Sequence, residues 1–154
     1  MSESHIPEGY HSVTPSLTVA DAPAALEFYK AALGAVEIFR MPDEKTGKIM
    51  HAEIAIGNSR IMLSSEFPEW GCVAPEVGQG GAFMIYVPDT DAAYAQAIAA
   101  GATSLQEPTD MFWGDRTSRV ADPHGYRWSL ATHVRDVSEE EIVKAAKEWD
   151  CNAS

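Results

Sequence analysis

The sequence predicts an α+β fold: two tandem βαβββ modules forming an open, cleft-enclosing mixed sheet, followed by a C-terminal helix. Three observations carry this. Val19-Ala20-Asp21 opens an alanine-rich helical stretch that ends at Leu33-Gly34-Ala35. Val87-Pro88-Asp89 opens a second one, 68 residues on, ending at Ala100-Gly101-Ala102. Gly57 and Gly125, each in a turn between apolar runs, keep the same spacing. A repeat of that period in 154 residues means two copies of one supersecondary unit.

The elements follow in order. Val13 to Val19 alternates in part and reads as a strand, with Pro15 confining it to an edge or a strand start. Asp21 caps a helix with Pro23 in its first turn; Leu26, Tyr29, Lys30 and Leu33 recur at helical spacing. Gly34 closes it where a left-handed residue is needed. Strands are expected over Val36 to Met41, Ile49 to Ile56 and Arg60 to Ser64, the last two joined by the turn Gly57-Asn58-Ser59. In the second copy Phe83 to Val87 is a strand, and Asp89 caps a helix running to Ala100. Strands near Thr103–Gln106, Thr117–Ala121 and Arg127–Thr132 complete it. The boundaries of one domain are therefore module one at 10–66, a Pro- and Gly-rich linker at 67–81, module two at 82–135, and a helix at 138–150. That helix opens with the capping box Ser138…Glu141, and its stripe of Ile142, Val143, Ala146 and Trp149 is expected to dock.

Composition sets outer bounds. The net charge of −12 argues against nucleic acid or an anionic membrane as partner, because both repel an acidic surface. Cys72 and Cys151 make neither a disulfide framework nor a metal-ligand spacing. The chain opens without a basic segment followed by an apolar run, and no apolar run approaches 18 residues, so a cytoplasmic location is expected.

The β-α-β-β-β repeat, the Val–x–Asp helix starts, and Asp122-Pro123-His124-Gly125-Tyr126 before the last strand resemble the vicinal oxygen chelate superfamily. That superfamily includes glyoxalase I, extradiol dioxygenases, methylmalonyl-CoA epimerase and bleomycin-resistance proteins. His51-Ala52-Glu53-Ile54, Ile61-Met62-Leu63-Ser64 and Phe112-Trp113-Gly114-Asp115-Arg116 look more narrowly like its PhnB-like branch. In metal-dependent members each module gives two ligands, from its first and last strands. The resemblance maps those positions onto Thr14, Met62, Ala82 and Ser129. None is His, Gln, Asp or Glu, and a two-residue shift along the first strands meets only Ser16 and Met84. Alanine cannot ligate, and neutral hydroxyls and thioethers are poor ligands for a hard divalent ion. No metal and no other cofactor is expected.

Strand alternation then sorts residues by face. If the ligand positions face the cleft, so do Thr14, Ser16 and Thr18; Met62 and Ser64; Ala82, Met84 and Tyr86; Ser129 and Ala131. Leu17, Val19, Ile61, Leu63, Phe83, Ile85, Val87, Trp128 and Leu130 face the helices, with Met50, Ala52, Ile54 and Ile56 from the third strand. His51 and Glu53 then point into the cleft, with Arg119 and Thr117 as their counterparts in module two.

Four readings of the charged trio stand open. His51, Glu53 and Arg119 pair across the cleft and hold the halves together; or serve catalysis, with His51 as base, Glu53 orienting its ring and Arg119 holding an anionic group; or hydrogen-bond a ligand; or form an unorthodox metal site. Phe112, Trp113 and Trp70 are either loop packing or rims that stack on ligand. Arg116 beside Asp115 is a local ion pair or an anion hook. Two function classes follow. One is metal-free binding of a small aromatic or hydrophobic molecule by Thr14, Met62, Trp70, Met84, Tyr86, Phe112, Trp113, Arg116 and Ser129. The alternative is a metal-independent lyase or isomerase. A homodimer is expected in either case.

Overall fold

The computed structural model describes residues 4–149; Cys151, and the last residue of the helix expected at 138–150, lie outside them. The elements are β1 (Ser16–Val19), α1 (Ala22–Leu33), β2 (Val36–Pro42), β3 (Ile49–Ile56), β4 (Ser59–Ser65), β5 (Ala82–Tyr86), α2 (Thr90–Ala99), β6 (Thr103–Asp110), β7 (Asp115–Ala121), β8 (Arg127–His133) and α3 (Glu139–Glu148). They make two mixed four-stranded sheets, ordered β1-β4-β3-β2 and β5-β8-β7-β6. In each, the first strand runs parallel to the last and the other pairs are antiparallel. The expected α+β fold of two βαβββ modules with a C-terminal helix is observed.

Local chemistry fixes the helices. Asp21 accepts the Ala24 amide (3.0 Å) and Asp89 the Ala92 amide (3.1 Å), satisfying donors that each first turn leaves orphaned. Gly34 ends α1 at φ 66°, in the left-handed region. Ser138 caps α3 through the Glu141 amide (3.2 Å). β1 begins at Ser16 rather than Val13: Pro15 has no N–H to give, and only its carbonyl joins the ladder, accepting from Met62 (2.9 Å).

The alternation of faces holds with one correction. Leu17, Val19, Ala52, Ile54, Ile56, Ile61, Leu63, Trp128 and Leu130 are all buried in one core with α1. Met50, expected on the helix side, is 41% exposed, whereas Ile49 is 2% exposed. The register between β2 and β3 slips between Met41 and Pro42, so Met41 faces His51 and Pro42 faces Ile49. This irregularity reverses the facing order at the start of β3.

The modules meet through their helix sides. The Tyr29 hydroxyl of α1 donates to Asp122 Oδ2 (2.6 Å), which also accepts the Trp128 indole N–H (2.8 Å). The Tyr126 hydroxyl accepts from the Thr18 amide (3.1 Å) and donates to the Thr18 carbonyl (2.9 Å), closing the free edge of β1. Gln96 of α2 donates to the Ala31 carbonyl of α1 (3.0 Å). Among the described residues no strand of one module lies against a strand of the other. The linker seats on the β7–β8 turn, where a side chain at Gly125 (φ 103°) would meet Pro75 at 2.8 Å.

Candidate functional site

A concavity of about 780 Å³ lies between the modules, within the range of small-molecule sites. Module one supplies Val13, Thr14, Leu33, Ile61 and the Gly57-Asn58-Ser59 turn with Arg60. Module two supplies β5 from Phe83 to Tyr86, and Trp128. Both modules wall it because α1 and α2 pack together and leave β5 opposite the β3–β4 hairpin and the start of β1. Three expected ligand residues, Thr14, Met84 and Tyr86, line it, together with Ile61, Phe83, Ile85, Val87 and Trp128, which strand alternation puts on the helix side; Met62, Arg116 and Ser129 do not line it.

Tyr86 is held in place although its ring is 63% exposed. Its hydroxyl donates to Oδ2 of the buried Asp115 (3.1 Å), and this bond raises the phenol's pKa. The other oxygen of Asp115 meets His133 Nδ1 (2.8 Å), and His133 Nε2 meets Asp136 (2.7 Å). Flanked by Asp136 and Asp115, the imidazole is raised above its ordinary pKa. The array Tyr86–Asp115–His133–Asp136 is not among the sequence expectations, which place Asp115 beside Arg116 only. The signal was available. Counting outward from the β7–β8 turn places Asp115 opposite His133 once both strands are allowed their full length.

Arg116 is an ion pair, but with other partners: Asp91 through Nε (2.7 Å) and Nη2 (2.9 Å), and Asp110 through Nη1 (3.2 Å). The trio does not assemble. Arg119 Nε donates to Gln106 in its own sheet (3.1 Å), and no ion pair joins it to Glu53 among the described residues. His51 Nε2 stands 3.5 Å from Glu53 Oε1, beyond a good hydrogen bond. The stronger partner of Glu53 is one that the sequence did not suggest, the Tyr10 hydroxyl, which donates to Oε1 and holds the carboxyl below its usual range. The N-terminal segment thus crosses this face, and the halves are held by Tyr29, Asp122 and Tyr126 instead.

The remaining aromatic positions separate. Phe112 packs edge-on to Trp113 (5.0 Å) and against Trp149 (5.2 Å), the residue that follows α3, but α3 itself buries no residue and its Val143 and Ala146 are exposed, so the stripe does not dock along its length. Trp70 stacks on Phe67 (4.8 Å) in the linker. Neither group lines the intermodule cleft. Met62 lies between Ser16 and Glu53 in the sheet register, and Ser129 between Met84 and Arg119.

That register bears on the metal. Thr14, Met62, Ala82 and Ser129 offer two neutral hydroxyls, one thioether and a methyl group, and Ser129 has the cationic Arg119 beside it. A divalent ion finds no charged oxygen or imidazole donor among these four, so they do not fit one.

Residues 9–130 match the Glyoxalase/Bleomycin resistance protein/Dioxygenase superfamily. An uncharacterized protein of Mycobacterium bovis is 38% identical over 139 residues, covering 87% of this chain and 91% of its own. An uncharacterized Arabidopsis thaliana protein is 27% identical over 124 residues, covering 75% of this chain and 74% of its own. Among solved structures, TioX from Micromonospora sp. ML1 superposes with a TM-score of 0.65 at 26% identity, over 86% of this chain and all of that one. The fosfomycin resistance protein FosX from Listeria monocytogenes shares the fold, at TM-score 0.61 and 16% identity, over 86% of this chain and 97% of its own. With two βαβββ modules in place and the match spanning most of its length, the chain belongs to the Glyoxalase/Bleomycin resistance protein/Dioxygenase superfamily.

Proposed function

We propose that this protein is a PhnB-like member of the superfamily that binds a small aromatic or hydrophobic molecule, without metal, in the cleft between its modules. The observation that carries the reading is the wall of that cleft. Leu33, Ile61, Phe83, Met84, Ile85 and Trp128 are apolar, and Tyr86 presents a ring anchored at its hydroxyl by Asp115. Methionine adapts to flat or irregular ligands, and an anchored aromatic ring has little entropy left to lose on stacking. A mass-spectrometric search for small molecules retained from cell extract tests it. The wild type is expected to retain a flat or apolar compound, and Tyr86→Ala to weaken its binding by about 1–3 kcal/mol. Retention unchanged in Tyr86→Ala would refute the placement.

The lyase or isomerase reading keeps one observation in its favour, the 3.5 Å approach of His51 to Glu53. It lacks the rest of its apparatus, because Tyr10 occupies Glu53 and Arg119 is engaged in the other module. We further infer a cytoplasmic homodimer with no nucleic-acid or membrane partner. Phe39, Met41 and Met50 lie exposed on β2 and β3, area that a second copy would cover. Among the described residues no helix is long and apolar enough to cross a membrane. Light scattering at micromolar concentration is expected to give the mass of two chains; the mass of one would refute the dimer.

A further inference from the structure

The cleft has a charge bias opposite to that of the chain. The protein carries 23 Asp and Glu against 11 Lys and Arg. Yet among the described residues no carboxylate lines the cleft, and Arg60 is the permanently charged side chain that does. Arg60 lies half-buried on β4, at the end of the apolar wall formed by Ile61. Its guanidinium sits 5.8 Å from the Tyr10 ring and against Gly9, where a side chain would meet Nη2 at 2.8 Å, and it makes no hydrogen bond or ion pair to any described residue. Arg40 is bound to Glu37, Arg116 to Asp91 and Asp110, and Arg119 to Gln106, while Arg127 and Arg135, also without a side-chain partner, lie outside the cleft lining. The nearby Glu53 is engaged by the Tyr10 hydroxyl and lies outside the cleft lining. Asn58, Ser59 and His11 line the cleft beside Arg60 and are tied to one another, the Ser59 hydroxyl donating to Asn58 Oδ1 (3.3 Å) and His11 Nε2 meeting the Asn58 carbonyl (3.3 Å).

We propose that the ligand of this cleft is an amphiphilic acid: a flat apolar body lying on Met84, Tyr86 and Ile61, joined to a carboxylate-type oxyanion that Arg60 receives. The inference rests on the cleft-binding reading above and adds the ligand's charge to it. An unengaged guanidinium fork matches two oxygens of a planar or tetrahedral oxyanion, and a charge-assisted bond at the edge of an apolar wall is about twice as strong as a neutral one. In a chain of net charge −12, an anion is repelled at long range, so its recognition has to come from a local, half-desolvated cation. A cationic ligand would meet Arg60 with no carboxylate in the lining to offset it.

The test uses two fluorescent probes that share one aromatic body, 8-anilino-1-naphthalenesulfonate and its neutral counterpart N-phenyl-1-naphthylamine. Both are titrated against the full chain, the wild type and Arg60→Gln. Loss of a hydrogen-bonded charge corresponds to about a 10- to 100-fold drop in affinity. The sulfonate probe is expected to weaken by that factor in Arg60→Gln while the neutral probe stays within about 2-fold. Arg60→Lys, which keeps the charge but not the fork, is expected to restore only part of the loss. On the wild type, 1-naphthoate is expected to displace the neutral probe about 10-fold better than the uncharged 1-naphthamide does; this arm needs no variant to fold, and equal displacement opposes the anion inference. If both probes bind but Arg60→Gln shifts them equally or not at all, the anion inference is overturned and the cleft reading stands. If neither probe binds, both fall.

Discussion

Asp122 is where a single atom change is expected to cost the fold most. Its Oδ1 accepts the amides of His124 (2.7 Å) and Tyr126 (3.0 Å), and its Oδ2 accepts the Tyr29 hydroxyl and the Trp128 indole. All of this is buried, and Tyr29 comes from the other module. In Asp122→Asn the amide oxygen can keep the two backbone donors, which leaves the NH₂ facing Tyr29 and Trp128. The Tyr29 hydroxyl can turn to accept, but an indole N–H cannot. One buried donor is then unpaired, at about 1–3 kcal/mol, and the charge assistance of three bonds is lost as well, so we expect about 3–5 kcal/mol in all. Tyr29→Phe removes one charge-assisted bond and leaves Trp128 satisfied, for about 1.5–3 kcal/mol. Urea unfolding followed by far-UV circular dichroism measures both, with an unchanged slope required. Against a typical total of about 5–15 kcal/mol, Asp122→Asn takes a large share. A cost below about 1 kcal/mol for Asp122→Asn, or additive effects in the double variant, would refute this account of how the modules are joined.

Other predictions follow from the same geometry. His133 has its pKa raised by Asp136 and Asp115. Its contribution is therefore fully present below the ordinary histidine value and is lost as pH rises through its raised folded value; urea midpoints across that range should show the loss, and His133→Gln should abolish it. Glu53 is held low by Tyr10, so its contribution is present above the usual carboxylate range and disappears as pH falls through its folded value. Tyr10→Phe is expected to move the Glu53 titration, followed by carboxyl NMR, back toward its ordinary value. His51→Ala is expected to leave ligand affinity within about 2-fold, whereas a base catalyst would lose about 10²–10⁴-fold in turnover. Chelator is expected to leave the melting temperature unchanged; elemental analysis finding about one Zn, Ni, Fe or Mn per chain would oppose this.

Much of the fold was legible because its determinants are local. The Asp21 and Asp89 caps, the Gly34 terminus and the strand alternation each act within a few residues, and the repeat made each module a check on the other. Met50 went wrong because a register slip between β2 and β3 leaves no mark in the alternation of β3 itself. The site was less legible, for two reasons. Pairing across the cleft depends on how the modules dock, and they dock through Tyr29, Asp122 and Tyr126, which keeps Arg119 from Glu53. Tyr10 reaches Glu53 from a segment with no regular structure, 43 residues away in sequence, where no periodicity predicts contact. Asp115 and His133 were recoverable, since hairpin register alone sets them opposite each other.

The central claim, metal-independent binding in the intermodule cleft, is tested most directly by amide chemical-shift mapping. Chelator-treated, isotope-labelled protein is titrated with N-phenyl-1-naphthylamine. The account predicts saturable shifts centred on Thr14, Ile61, Met84 and Tyr86, unchanged when a divalent metal is added. Shifts centred instead on His51 and Glu53, on Phe112 and Trp113, or appearing only once metal is present, would contradict it.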